Sequence, residues 1–359
     1  MSCKKVVGIA VLSLALFTGV WQVSEYIKNK DLASYHVAIS GFNNIIFDYP
    51  GSYLTDEKGK LITYYGGHLG GIGALGFGSQ SSGSGQQPLP AGMHIRFFDP
   101  IANQFWQGQF TLPQEKLREL FTHCNYVEIL RPNRPTICPF WQLIINATPS
   151  GQVFVYAGRN PTRFIGSYQA QKTDMKWEPF YFGLGYPDKF VDSREVYVAN
   201  MRNDFNKDEL MALWRNELKE TPSPYEPAYW QHYFNKYEWK LTTAIPFTLV
   251  EYNANYVNGE MFNTFENEAN QFRKTAVPYD IFFVLTGTDG SRTQLRMEFN
   301  QKYMMKKFEE AANAGKPIEF HADFDEKAKI LDTYLTEKDG RERIELEAES
   351  VENKSVYFK

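Results

Sequence analysis

The sequence predicts an α+β fold that is β-rich, with antiparallel sheets and a few packed helices behind an N-terminal membrane anchor. Three observations carry this. Aromatic residues make up 16% of the chain, with 28 Phe, 22 Tyr and 7 Trp, a composition suited to flat rings filling pleated faces. Short apolar runs of alternating period, bounded by Gly, Pro, Asn and Asp, recur along most of the chain. One longer apolar run, Val6 to Val23, follows Lys4 and Lys5 at the start.

That run is just long enough to cross about 30 Å of hydrocarbon as a helix. Trp21 sits where an interface anchor belongs, and the lysines favour a cytoplasmic start with the remainder outside. A cleaved signal peptide is the alternative. The chain of 359 residues reads as residues 1–30, anchor and tether; 31–240, a β-rich domain; and 241–359, a C-terminal α+β domain. Outside the membrane Cys124 and Cys138 would meet an oxidising compartment. As a disulfide they would close a loop of about 15 residues, a constraint of roughly 3 kcal/mol; two free buried thiols are the alternative. The net charge of −4 carries no basic footprint for nucleic acid.

After the tether, Tyr35–Ser40, Asn44–Tyr49 and Lys60–Tyr65 read as short strands joined by turns at Asp48–Gly51 and Asp56–Gly59. Gly66 to Gly92 is a glycine-rich run with almost no charge. Within it, Gly71 to Gly76 matches the dinucleotide fingerprint, but Gly78 to Gly85 is rich in Ser and Gly and cannot open the helix that a pyrophosphate site requires. The run therefore reads as a mobile surface loop, or as a binding loop that orders on contact, with Leu69, Ile72, Leu75 and Phe77 as its apolar teeth. Met93–Phe98 and Phe105–Phe110 form a hairpin around Asp99-Pro100. Thr111 is placed to cap a helix opened by Pro113, with Leu117, Leu120 and Phe121 on one face.

Further strands are expected at Tyr126–Leu130, Trp141–Thr148, Gln152–Ala157 and Arg163–Tyr168, and a packed loop at Phe180–Lys189. Helices are expected over Lys207–Lys219 and Glu226–Trp239. The aromatics of the second, Tyr229, Trp230, Tyr233, Phe234 and Tyr237, read as a core-facing stripe or a sugar platform. In the last third, strands are expected at Thr242–Tyr252, Tyr279–Thr286, Gln294–Asn300, Ile318–Phe324, Ala328–Leu335 and Arg343–Glu349, with helices at Glu260–Arg273 and Gln301–Ala314. The sequence shows no long repeat.

None of the six histidines falls in a zinc-binding spacing, and neither a nucleophile elbow nor a P-loop occurs. His321, Asp323 and Asp325 share one strand face, which reads as solvated surface rather than a metal site. No cofactor and no metal is called for, and a hydrolase would need a triad assembled from distant residues.

The signal-like start, the glycine-rich loop and the motifs Leu89-Pro90, Ile95-Arg96-Phe97 and Leu112-Pro113 resemble a family of bacterial envelope lipoproteins of unknown function (domain of unknown function twenty-nine thirty-one). The resemblance spans Tyr35 to Trp239. Members are often encoded beside type VI secretion phospholipase effectors, so it implies an immunity protein that binds and blocks a secreted lipase effector in the periplasm. A lipoprotein carries a cysteine directly after its signal box. Here Val20 follows Phe17-Thr18-Gly19, so an uncleaved helix in the inner membrane would replace the lipid. The alternative function is an envelope glycan- or lipid-binding module without catalysis, for which the aromatic content argues.

Overall fold

The computed structural model describes residues 32–42, 44–68, 74–83, 85–122, 140–158, 161–183, 193–208, 211–243, 248–265, 268, 271–287, 290, 292–312, 317–325, 330–337 and 343–355. The expected anchor, the strand expected at Tyr126–Leu130, and Cys124 and Cys138 lie outside them. Among the described residues no helix is long and apolar enough to cross a membrane.

The first half opens with β1 (Leu32–Ser34), β2 (His36–Gly41), β3 (Ile46–Phe47), β4 (Tyr53–Thr55), β5 (Leu61–Tyr64) and β6 (Gly67–His68). The glycine run contributes β7 (Gln80–Ser82) and β8 (Gln86–Pro88), and the hairpin is β9 (Gly92–Asp99) with β10 (Gln104–Thr111). Helix α1 (Gln114–Thr122) precedes β11 (Gln142–Ala147), β12 (Gln152–Gly158), β13 (Arg163–Gln169) and β14 (Gln171–Thr173). A helical segment follows: α2 (Trp177–Gly183), α3 (Arg194–Lys207), α4 (Ala212–Glu217) and α5 (Pro227–Gln231). The second half runs β15 (Tyr237–Thr243), β16 (Thr248–Tyr256), β17 (Met261–Phe265), β18 (Arg273–Thr275), β19 (Pro278–Thr286), β20 (Arg292–Glu298), α6 (Gln301–Ala312), β21 (Ile318–Phe324), β22 (Ile330–Glu337), β23 (Arg343–Glu345) and β24 (Ser350–Ser355).

Each half is built on a pair of sheets around one core, and the first half adds the two-stranded sheet β1-β8. In the first, the order β14-β10-β9-β3-β6, with β4 and β5 attached, faces β13-β12-β11-β2-β7. In the second, β24-β20-β19-β16-β17 faces β23-β22-β21-β15-β18. The inward side chains alternate as the pleat requires: Met93, Ile95 and Phe97 of β9 meet Val37, Ile145 and Val155 of the facing sheet. Ile281, Phe283 and Leu285 of β19 meet Leu241, Phe320 and Ala322.

The two halves therefore repeat one topology, although the sequence shows no long repeat. The parallel pair β2 with β11 recurs as β15 with β21, and in both halves a helix leads into the second strand of that pair. The core spacing recurs with it. Leu112, Leu117 and Phe121 are buried around α1, and Phe299, Met304 and Phe308 are buried at the same separations around α6.

The hairpin and α1 form where expected. Thr111 ends β10 rather than capping α1. The helix start is held instead by the Gln114 side-chain amide, which donates to the Pro90 carbonyl, while Leu112 N donates to Ala91 O at 2.8 Å. Leu89 and Leu112 are both buried, so the paired Leu-Pro motifs fasten strand and helix to the core.

Several local expectations are corrected. The helix expected over Glu260–Arg273 gives way at both ends: Met261–Phe265 pairs with β16 and Arg273–Thr275 with β15, so sheet pairing overrides the local preference there, while Glu268 between them is helical. The Glu226–Trp239 helix stops after one turn of 3₁₀ structure at Phe234, and Tyr237 begins β15. Helix lies within Phe180–Lys189 up to Gly183, and α3 is an unexpected long helix capped by Ser193, whose hydroxyl accepts from Val196 N. Over Lys207–Lys219, α3 ends at Lys207 and the only further α-helix among the described residues is Ala212–Glu217.

The helical segment covers the outer faces of the first half. Phe180, Tyr181, Tyr197 and Val198 pack on Ile46, Phe98 and Phe105. Trp214, Tyr229 and Trp230 pack on Ala38, Ile144 and Phe154 of the other sheet. Tyr229 and Trp230 are thus core-facing, not a sugar platform.

Candidate functional site

Two surfaces of the first half carry the chemistry. The first is the middle of the glycine run. Leu75 is partly buried against the cluster around Trp214 and Trp230, while Phe77 is 65% exposed. Leu69 and Ile72, the other expected teeth, lie outside the described residues. The described residues 74–79 before β7 are held by specific contacts. Asn146, fully buried in β11, accepts from Gly76 N at 2.8 Å and donates to Phe77 O at 2.7 Å. Gly76 has φ +71°, and a Cβ there would sit 1.8 Å from the Gly259 carbonyl oxygen in the second half. A Cβ on Gly78 would lie 2.5 Å from the Ala38 side chain. The glycines here allow close approach of backbones, and the run then joins sheets: β7 pairs with β2 and β8 with β1. The expectation of a mobile loop is corrected for these residues.

Phe77 shares a hollow of about 440 Å³ with Trp141 and His36, and Thr162 and Met261 form its far side. Trp141 is 38% exposed, and its ring lies edge-on to His36 with centroids 4.7 Å apart. Thr162 and Met261 bridge the halves through paired backbone hydrogen bonds of 2.7 and 2.9 Å. Tyr156 adds a buried hydroxyl donating to Asn258 O at 2.7 Å, so the hollow stands on a fixed junction.

The second surface is the outer face of the sheet that carries the hairpin. The helices cover one end of it, at Phe98 and Phe105. Further along, the same alternation brings His94, Arg96, Gln107 and Gln109 outward, and register places Arg96 opposite Gln107, with Gln171 beyond it. His94 lies between Gln109 and Tyr53. The result is a groove of about 690 Å³ whose end wall includes Phe180.

The Tyr53 and His94 rings stack at 4.2 Å with 12° between planes. Burial holds the His94 imidazole below the usual histidine range, which favours its neutral form. Asp48, 4% exposed, pairs with Arg96 Nε at 3.0 Å. Burial raises the Asp48 carboxyl above the ordinary aspartate range, and the Arg96 guanidinium opposes part of that rise. A Cβ on Gly51 would fall 2.0 Å from the Asp48 carboxylate, so this turn glycine makes room for the acid. Asp48 is the single carboxylate among the described lining residues. The paired carboxylates used for glycoside hydrolysis are therefore not assembled from them.

No family model, no curated protein and no solved structure matches the chain. Among the described residues no three His, Cys, Asp or Glu side chains converge as a metal site, and His321 stacks on Tyr334 at 4.5 Å. Of the motif residues that carry the family resemblance, Ile95 and Phe97 are core, and only Ile95 and Arg96 are among the described lining residues of the groove. Sequence reasoning missed Asp48 and Tyr53 as site residues. The polar alternation along Met93–Phe110 is the signal that would have marked their strand neighbours.

Proposed function

We propose that the chain is a membrane-anchored periplasmic immunity protein that binds and neutralises a secreted phospholipase-type toxin. The observation supporting this reading is the presentation of Phe77: an exposed aromatic on a segment locked by Asn146, beside Trp141, at a rigid junction of two β-sandwiches. Aromatic anchors on pre-organised surfaces dominate protein–protein affinity, because little ordering entropy is lost on docking. The family resemblance supplies the partner class. The toxin side chains that suit the hollow are apolar or aromatic, to pack on Phe77 and Trp141.

The test is titration of type VI secretion phospholipase effectors, and of any lipase found encoded beside this gene, with the detergent-solubilised full chain. Stoichiometric loss of lipase activity is expected, with inhibition by Phe77→Ala weakened about tenfold or more, a typical loss for an interface anchor. Full lipase activity in excess of the chain would refute the reading.

A further inference from the structure

The groove on the hairpin sheet has no part in the Phe77 surface, and the repeat of topology shows that the fold does not require its residues. Register equates His94 with Phe282, Arg96 with Val284, Tyr53 with Asn253 and Gln109 with Arg296, since each set occupies the same strands in the same order. In the second half Arg296 and its neighbours on that face pair with one another. Arg296 forks onto Asp280 at 2.8 and 3.0 Å, and Asp280 also accepts from Asn255 at 2.7 Å. In the first half the same scaffold carries a concave face whose Gln107, Gln109 and Gln171 side chains make no hydrogen bond among the described residues.

We propose that this groove is a binding site for a neutral oligosaccharide. Three features select that class. First, each primary amide offers donors and an acceptor side by side, and a sugar hydroxyl is both donor and acceptor, so a row of glutamines suits a polyol. Second, Tyr53 and His94 stack flat on one another in the groove lining and supply the aromatic surface on which the C–H face of a pyranose packs. Third, the charge is balanced: Arg96 is neutralised by Asp48 at 3.0 Å, leaving no net cation to select a phosphate or sulfate. A volume of about 690 Å³ also lies within the range of ligand clefts, roughly 300–1,000 Å³. The proposal is independent of the toxin reading, since the groove shares no lining residue with the Phe77 hollow.

The test is calorimetric titration of the full chain, in a detergent without a sugar headgroup, with chitotetraose, cellotetraose and maltotetraose. Inorganic phosphate and a sulfated tetrasaccharide serve as anionic probes. At least one neutral tetrasaccharide is expected to bind with Kd below about 1 mM. Tyr53→Ala and the paired exposed substitutions Gln107→Ala and Gln109→Ala should each weaken it about tenfold or more, and Gln294→Ala at the matching place in the second half should leave it unchanged. The glutamine pair guards against a fold defect from losing Tyr53, and a wild-type melting curve confirms it. No neutral binding up to about 10 mM, binding indifferent to the glutamine pair, or tighter binding of the anionic probes would each overturn the proposal.

Discussion

Replacing Asn146 by alanine isolates the device that presents Phe77. The asparagine is fully buried in the middle of β11, and its amide makes one bond to Gly76 N and one to Phe77 O, at 2.8 and 2.7 Å. Gly76 is itself buried, so its orphaned N–H bears a desolvation cost of about 1–3 kcal/mol. The Phe77 carbonyl adds a similar cost if the segment stays seated, and the lost side-chain atoms leave a small void. The segment escapes the upper limit by lifting, which returns the carbonyl to water. Between these limits local stability should fall by about 2–4 kcal/mol. The assay is hydrogen exchange of the Gly76 amide. In the wild-type chain this amide should exchange slowly, and in Asn146→Ala roughly 30- to 700-fold faster, the same free energy expressed as an opening equilibrium. Toxin binding should weaken in the same variant although Phe77 is untouched, because the ordering cost moves into the binding step. An already unprotected Gly76 amide in the wild type, or less than about a threefold change in the variant, would refute the clamp.

Two further substitutions address the junction and the groove. Gly76→Ala places a methyl 1.8 Å from the Gly259 carbonyl at a positive φ, so it should lower stability by about 2 kcal/mol or more; a melting temperature within about 1 °C of wild type would exclude the close approach of the halves. Asp48→Asn keeps the shape and removes the charge. Because burial raises the folded pKa of Asp48, its ionised form is penalised above that pKa and the penalty fades as pH falls toward the ordinary value near ~4. The variant should therefore be more stable than wild type at pH ~7, with the gain shrinking on acidification. Chemical denaturation across that range reads the difference, and a gain that grows as pH falls would contradict the assigned environment.

What the sequence made legible follows from the range over which each feature is decided. The hairpin at Gly92–Thr111 and the helix after it are written locally, in alternation and in the Leu112-Pro113 start, and the structure reproduces both. Met261–Phe265 is decided at longer range: its own residues read as helix, but β16 offers it a ladder. The repeat of the two halves lies beyond local reading altogether. The slots of Leu112, Leu117 and Phe121 are filled in the second half by Phe299, Met304 and Phe308, and a core selects volume and spacing before it selects residue type. Identity fades while the separations persist. The groove was hidden for a related reason. Its residues come from the turn after β3 and from β4, β9, β10, β13, β14 and α2, and only pairing register sets Asp48 against Arg96 or Tyr53 against His94. Once the register is known, the repeat itself becomes the control: the same strands carry Phe282, Val284 and Arg296 in place of His94, Arg96 and Gln109, and Arg296 is tied to Asp280, so the groove of the first half is a feature of the residues placed there rather than of the scaffold.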